Sequence, residues 1–164
     1  MKCKLVKIPE LSGKAASIYS VILDGETQTL FEKFLQENKT SYISELNNIL
    51  IRLQTIGHKT GAREVFFKIH EGSPGDGVSA LYDEPGKMLR LYCIRYGTQI
   101  VILGGGGPKT VKKLQEDNKL LEENQFLRRL SVQITSHLRE STIKFGKDYL
   151  DFTGNLTIQD YEED

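Results

Sequence analysis

The spacing of apolar residues changes along the chain, and each change marks an element. Lys2–Ile8 is short, is followed by Pro9, and predicts a first strand. Ser17–Leu23, rich in β-branched and aromatic residues, stops at Asp24-Gly25 and predicts a second. The period then lengthens. Thr29 followed by Glu32 has capping-box spacing, and Leu30, Phe31, Phe34 and Leu35 fall on one helical face. Ile43, Leu46, Ile49, Leu50, Leu53 and Ile56 recur at intervals of three and four until Gly57. Two amphipathic helices joined by a short polar turn make a helical hairpin.

From Arg63 to Leu103 the pattern is that of strands. Glu64–Ile69, Val78–Tyr82, Met88–Tyr96 and Gln99–Leu103 are separated by a glycine-rich loop at 71–77, a Pro-Gly type II turn at 84–87 and the Tyr96-Gly97-Thr98 turn. Such short connections join antiparallel neighbours, so a meander is expected. Beyond the glycines at 104–107, Thr110–Asn118 reads as helical. A longer helix over about Lys119–Arg139 follows, its apolar side carrying Leu120, Leu127, Leu130, Ile134 and His137/Leu138. Thr142–Phe145 is a candidate strand, and the acidic end is expected to be mobile. The expectation is an α+β fold: a helical hairpin packed on an antiparallel β-meander, with an additional C-terminal helix. It divides into an N-terminal extension or strand (1–16), a main domain (17–118), and a C-terminal helix with acidic tail (119–164) packing on or extending it.

A chain of 164 residues with 38% hydrophobic content can bury one core. No apolar run is long enough to span a bilayer, and the start MKCKLVKIPELSGK lacks the apolar stretch of a secretory signal. Cys3 and Cys93 make neither a disulfide framework nor a zinc site, and His58, His70 and His137 have no metal-ligand spacing. A cytoplasmic protein without metal or cofactor is therefore expected.

Charge changes the picture. The 22 basic and 22 acidic residues cancel, yet between Pro85 and Gln115 lie Lys87, Arg90, Arg95, Lys109, Lys112 and Lys113 with no acid among them. A basic block inside a neutral chain is a candidate surface for phosphate or nucleic acid, since summed charge concentrates anions; solvation of exposed strand and helix faces is the other reading. The run Gly104–Gly107 with Pro108-Lys109-Thr110 lies after an apolar strand and before a helix, where phosphate cradles occur. The Walker spacing is not met, because Pro108 and Leu103 stand where glycines are required and Pro108 has no N–H to donate. The run is then either a hinge at a sheet edge or a place where a nucleic-acid backbone approaches closely.

Alternation along Met88–Tyr96 puts Leu89, Leu91 and Cys93 toward the helices, and Arg90, Tyr92 and Ile94 on the opposite, apparently open face. Arg95 falls on the face opposite to Arg90, unless the turn at Gly97 re-aims it. A salt bridge of Arg90 with Asp83 or Glu84 is the structural alternative to a binding role.

The run from Gly86 through Arg90 to Gly97, then Ile100–Leu103, the glycines and Lys109, Lys112 and Lys113, resembles the RelE/HigB-type toxin superfamily. Its members carry a helical hairpin after a first strand, an antiparallel sheet bearing an arginine, and a Lys-rich segment opening a helix. The match covers roughly residues 17–118. The resemblance implies a toxin of a type II toxin–antitoxin pair that cleaves mRNA on the ribosome without a metal, held in check by an antitoxin of helix-turn-helix type. It places Arg90 at the sheet arginine and Lys109, Lys112 and Lys113 in the Lys-rich segment. Arg90, Lys109 and Lys113 are the catalytic candidates; Lys87, Tyr92, Arg95, Tyr96 and Lys112 are the substrate-binding ones. Val78–Tyr82 lacks an arginine found in many members, and glycines replace the pair that usually follows the last strand. A non-cleaving relative, acting as a regulator or gyrase-directed poison, is the alternative; a small-anion or nucleotide binder built on the glycines is a third.

Overall fold

A computed structural model describes residues 1–68, 71–72, 76–81, 87–110 and 117–159. The described elements, in chain order, are β1 (Lys2–Lys7), β2 (Ser17–Leu23), α1 (Leu30–Asn38), α2 (Ile43–Thr55), β3 (Phe67–Lys68), β4 (Val78–Leu81), β5 (Leu89–Tyr96), β6 (Ile100–Pro108), α3 (Asn118–Arg139), β7 (Ile143–Phe145), β8 (Phe152–Gly154) and β9 (Thr157–Gln159). The protein is α+β. Its main sheet has seven strands in the order β3-β4-β5-β6-β2-β1-β9, and β7 and β8 form a separate hairpin.

Local chemistry starts the elements where the sequence signals them. The Thr29 hydroxyl accepts from the Glu32 amide at 3.0 Å while the Glu32 carboxylate accepts from the Thr29 amide at 3.1 Å, so two otherwise unpaired N–H groups of α1 are satisfied together. After α2 the chain makes one π-type turn at Ile56–Thr60. Gly61 ends it with φ 76°, a conformation that favours glycine.

The sheet is mostly antiparallel but not a simple meander. β6 returns beside β2 in parallel, with Ser17, Ile18 and Tyr19 opposite Ile100, Val101 and Ile102. The two strands then part. At that point the Ser20 hydroxyl donates to the Leu103 carbonyl at 2.8 Å and accepts from the Phe31 amide at 3.2 Å, which holds the start of α1 at the opening. Glu64–Ile69, expected as a strand, is a 3-10 turn over Glu64–Phe66 followed by the two residues of β3; Ile69 lies outside the described residues.

The sheet is covered on both faces. Leu89, Leu91, Cys93, Val101 and Leu103 pack with Phe31, Phe34, Leu46 and Leu53 of the hairpin. On the other face Tyr92, Ile94, Ile100 and Ile102 pack with Leu120, Leu127, Leu130 and Ile134 of α3 and with Phe152 of the β7–β8 hairpin. The expected open face is therefore closed. β1 and β9 belong to the same sheet, and α3 packs on one face of it, so residues from 1–16 and 119–159 are buried together with those of 17–118.

The glycines are neither hinge nor loop. Gly104–Gly107 are the second half of β6, all four buried. β6 crosses a bulge there, since Leu91 faces Gly106 while Cys93 faces Leu103. A Cβ on Gly104 would lie 2.8 Å from Leu127, one on Gly105 2.5 Å from the Glu123 carboxylate, and one on Gly107 3.3 Å from Lys119. Residues 119, 123 and 127 form one stripe of α3, so the glycines are the bed on which that stripe lies. Of Thr110–Asn118, expected as a helix, residues 111–116 lie outside the described residues and Asn118 opens α3.

Candidate functional site

β5 and β6 together build one basic end of the sheet. Arg90 sits directly opposite Gly107, and the Lys109 amide donates to the Met88 carbonyl at 2.8 Å. Lys87, Arg90 and Lys109 are thereby gathered from two adjacent strands. Paired residues of an antiparallel ladder project to the same face, and Gly107 lies beneath Lys119, so Arg90 projects toward the start of α3. Its Nη1 donates long hydrogen bonds to the carbonyls of Lys87, Met88 and Leu89 at 3.3, 3.4 and 3.2 Å.

Acids frame this end. The Glu45 carboxylate, in the first turn of α2, accepts from the amides of Met88 at 2.7 Å and Leu89 at 3.2 Å and so fixes where β5 begins. Lys119 pairs with Glu37 at 3.2 Å and with Glu123 at 3.8 Å. The Glu123 carboxyl is pushed up by burial against the sheet, partly opposed by Lys119. No sequence signal linked Glu45 to the start of β5 or Glu123 to the glycines of β6, because both contacts cross from one element to another.

The other expected site residues are dispersed. Tyr92 is 2% exposed under α3, and its phenol is pushed up to about 12, chiefly by burial and then by Glu71. It has no face to offer a base. Tyr96 packs edge-on against Phe152 at 5.3 Å and against Phe145 at 6.3 Å, its hydroxyl sealed without a hydrogen-bond partner among the described residues and its phenol pushed up by burial. Arg95 faces the hairpin side, as alternation predicted, and sits five residues from Arg90, roughly 17 Å along the strand. Lys112, Lys113, His70, and the Asp83 and Glu84 considered as partners of Arg90, lie outside the described residues, as does the acidic end from 160 onward.

Among the described residues no three His, Cys, Asp or Glu side chains gather as metal ligands would, and no helix is long and apolar enough to cross a membrane. No family model matches the chain, and neither the curated proteins nor the solved structures compared with it gave a match.

Proposed function

We propose that this protein is a toxin of the RelE/HigB type, a metal-independent endoribonuclease that acts on mRNA at the ribosome and is neutralised by a helix-turn-helix antitoxin. The observation carrying this reading is the grouping of Lys87, Arg90 and Lys109 at one end of β5 and β6, on a unit ordered as strand, helical hairpin, antiparallel strands and helix. That order is the one the sequence resemblance implies.

The chemistry suits such an end. Cleavage of RNA without a metal requires the 2′-OH to lose a proton as its oxygen attacks phosphorus, charge to build on the phosphate, and the departing 5′-oxygen to gain a proton. A guanidinium at Arg90 holds two phosphate oxygens at once, a geometry that lysine does not copy. Lys109 stands beside it as one candidate for moving the proton; Lys113 is the other.

The burial of Tyr92 and Tyr96 favours a second reading, a relative that binds nucleic acid or a protein partner without cutting, as a gyrase-directed poison would. It removes both residues expected to stack a base or orient the sugar. Induced expression in a bacterium, with primer extension on a translated message, separates the two. New cleavage ends that vanish in Arg90→Ala support the ribonuclease. Growth arrest without new ends supports the non-cleaving relative, and neither arrest nor cleavage removes both.

A further inference from the structure

The helical hairpin buries one side and leaves the other open. Toward the sheet α1 turns Phe31 and Phe34, and α2 turns Leu46 and Leu53. A groove of about 430 Å³ runs between the two helices and opens to solvent. Leu46 is buried in it, Leu35 and Leu50 are half-buried, and Ile43 is 54% exposed. Glu32 and Lys39, both exposed, line it as well.

The spacing of these six residues is the same on both helices. Residues 32, 35 and 39 on α1, and 43, 46 and 50 on α2, follow the i, i+3, i+7 repeat of a face that packs on another helix. Leu35 lies three residues before the end of α1 and Leu46 three residues after the start of α2, so the two sets are centred at a similar height above the connecting turn. On α1 the set places an acid at one end and a base at the other, about 10 Å apart along the helix. Lys39, the C-cap of α1, takes part in no ion pair among the described residues.

We propose that this groove is where a second copy of the chain docks, hairpin on hairpin, about a two-fold axis that crosses the helices midway between Glu32 and Lys39. Each α1 then lies antiparallel over the α1 of the other copy. Glu32 meets the partner's Lys39 and Lys39 the partner's Glu32, while Ile43 of each α2 meets the partner's Leu50. A closed two-fold interface must be self-complementary, and this face carries opposite charges at the matching spacing. An axis along the helices would instead lay each α1 on the partner's α2 and press Glu32 and Lys39 onto its apolar residues, where unpaired charge is costly. The face is about 20 Å in each direction, which places the dimer among small, weak interfaces. The inference is independent of the toxin reading.

Sedimentation velocity on the full chain, from micromolar to submillimolar concentration, tests this. A monomer–dimer equilibrium that weakens with added salt is expected. Ile43→Asp, at an exposed position, should raise the dissociation constant by about tenfold or more. Lys39→Glu and Glu32→Lys should each raise it about tenfold, because each sets like charges together at two symmetry-related contacts. An equimolar mixture of those two variants should associate more tightly than either does alone, since every contact then joins opposite charges. Far-ultraviolet circular dichroism checks that each variant is folded, which matters for Glu32→Lys because it also loses a capping-box partner. The proposal falls if the chain stays monomeric throughout, an outcome that leaves the groove to a helix of another protein. It falls equally if a dimer forms that Ile43→Asp and Lys39→Glu leave unchanged, or if the mixture associates no better than its components.

Discussion

Alanine at each of Gly104, Gly105, Gly106 and Gly107 should give four different outcomes, and their order tests the role of the glycine run. None of the four has positive φ, so alanine meets no backbone strain and only the available space decides. A Cβ on Gly106 would lie 1.8 Å from the Arg90 carbonyl oxygen and 2.8 Å from the Arg90 carbonyl carbon. Those atoms belong to the neighbouring strand, and relief requires β5 to move by more than an ångström within a covered sheet. Overpacking of this kind costs about 3 kcal/mol, which lowers the melting temperature of a chain this size by about 6–12 °C. At Gly104 the obstacle is the fully buried Leu127 side chain at 2.8 Å, and shifting it costs about 1–2 kcal/mol. At Gly105 the obstacle is the Glu123 carboxylate, the far end of a flexible side chain that retains 23% exposure. At Gly107 the one tight neighbour is Lys119 Cε at 3.3 Å, near the end of a flexible side chain that swings aside, and the other atoms lie at ordinary contact distance. There the loss of unfolded-chain freedom makes alanine neutral or stabilising by about 0.5 kcal/mol. Thermal and urea unfolding followed by far-ultraviolet circular dichroism reads all four. Equal effects, or stabilisation at every position, would refute the seating of α3 on the glycines and restore a flexible loop.

Further outcomes are expected elsewhere in the molecule. Burial raises the Glu123 carboxyl in the folded state, so the folded protein binds that proton more tightly than the unfolded chain. This group therefore opposes folding at neutral pH, and the opposition fades as pH falls through its folded value toward the ordinary carboxylate range; Glu123→Gln should raise the urea midpoint at pH 7 by more than at pH 4.5. Burial pushes the thiols of Cys3 and Cys93 up to about 11 and about 12, so neither should react with a thiol reagent at pH 8 until the protein is unfolded in urea. Leu127→Ala, at a position with no exposure under the glycines, should cost about 3 kcal/mol in chemical denaturation; a loss below 1 kcal/mol would mean that α3 is loosely held.

The acidic and polar ties of α3 account for much that periodicity did not reveal. The Asn124 amide donates to the Glu71 carbonyl at 2.8 Å, and the Ser131 hydroxyl donates to the Asp76 carbonyl at 2.6 Å. Both side chains are buried, yet in the sequence they read as ordinary polar positions of a surface helix. The apolar stripe of α3 was legible, and what it covered was not. The same holds for Tyr92. Its face was legible from alternation, while its burial depended on a helix that begins more than twenty residues later.

What the sequence by itself determined is local. The capping box at Thr29 and Glu32, the helical hairpin, the bounds of β2 and the two faces of β5 follow from spacing, because a helix or strand repeats its side-chain direction every few residues. The gathering of Lys87 and Arg90 at the start of β5 needed little more than that strand. The tertiary structure alone decided the parallel return of β6 beside β2, the closure of the Tyr92 face, and the conversion of four glycines from an apparent loop into a strand. Each depends on which distant segments meet. Glycine shows the difference most plainly: without a side chain it carries no periodic signal, and its purpose is set by whatever packs against it.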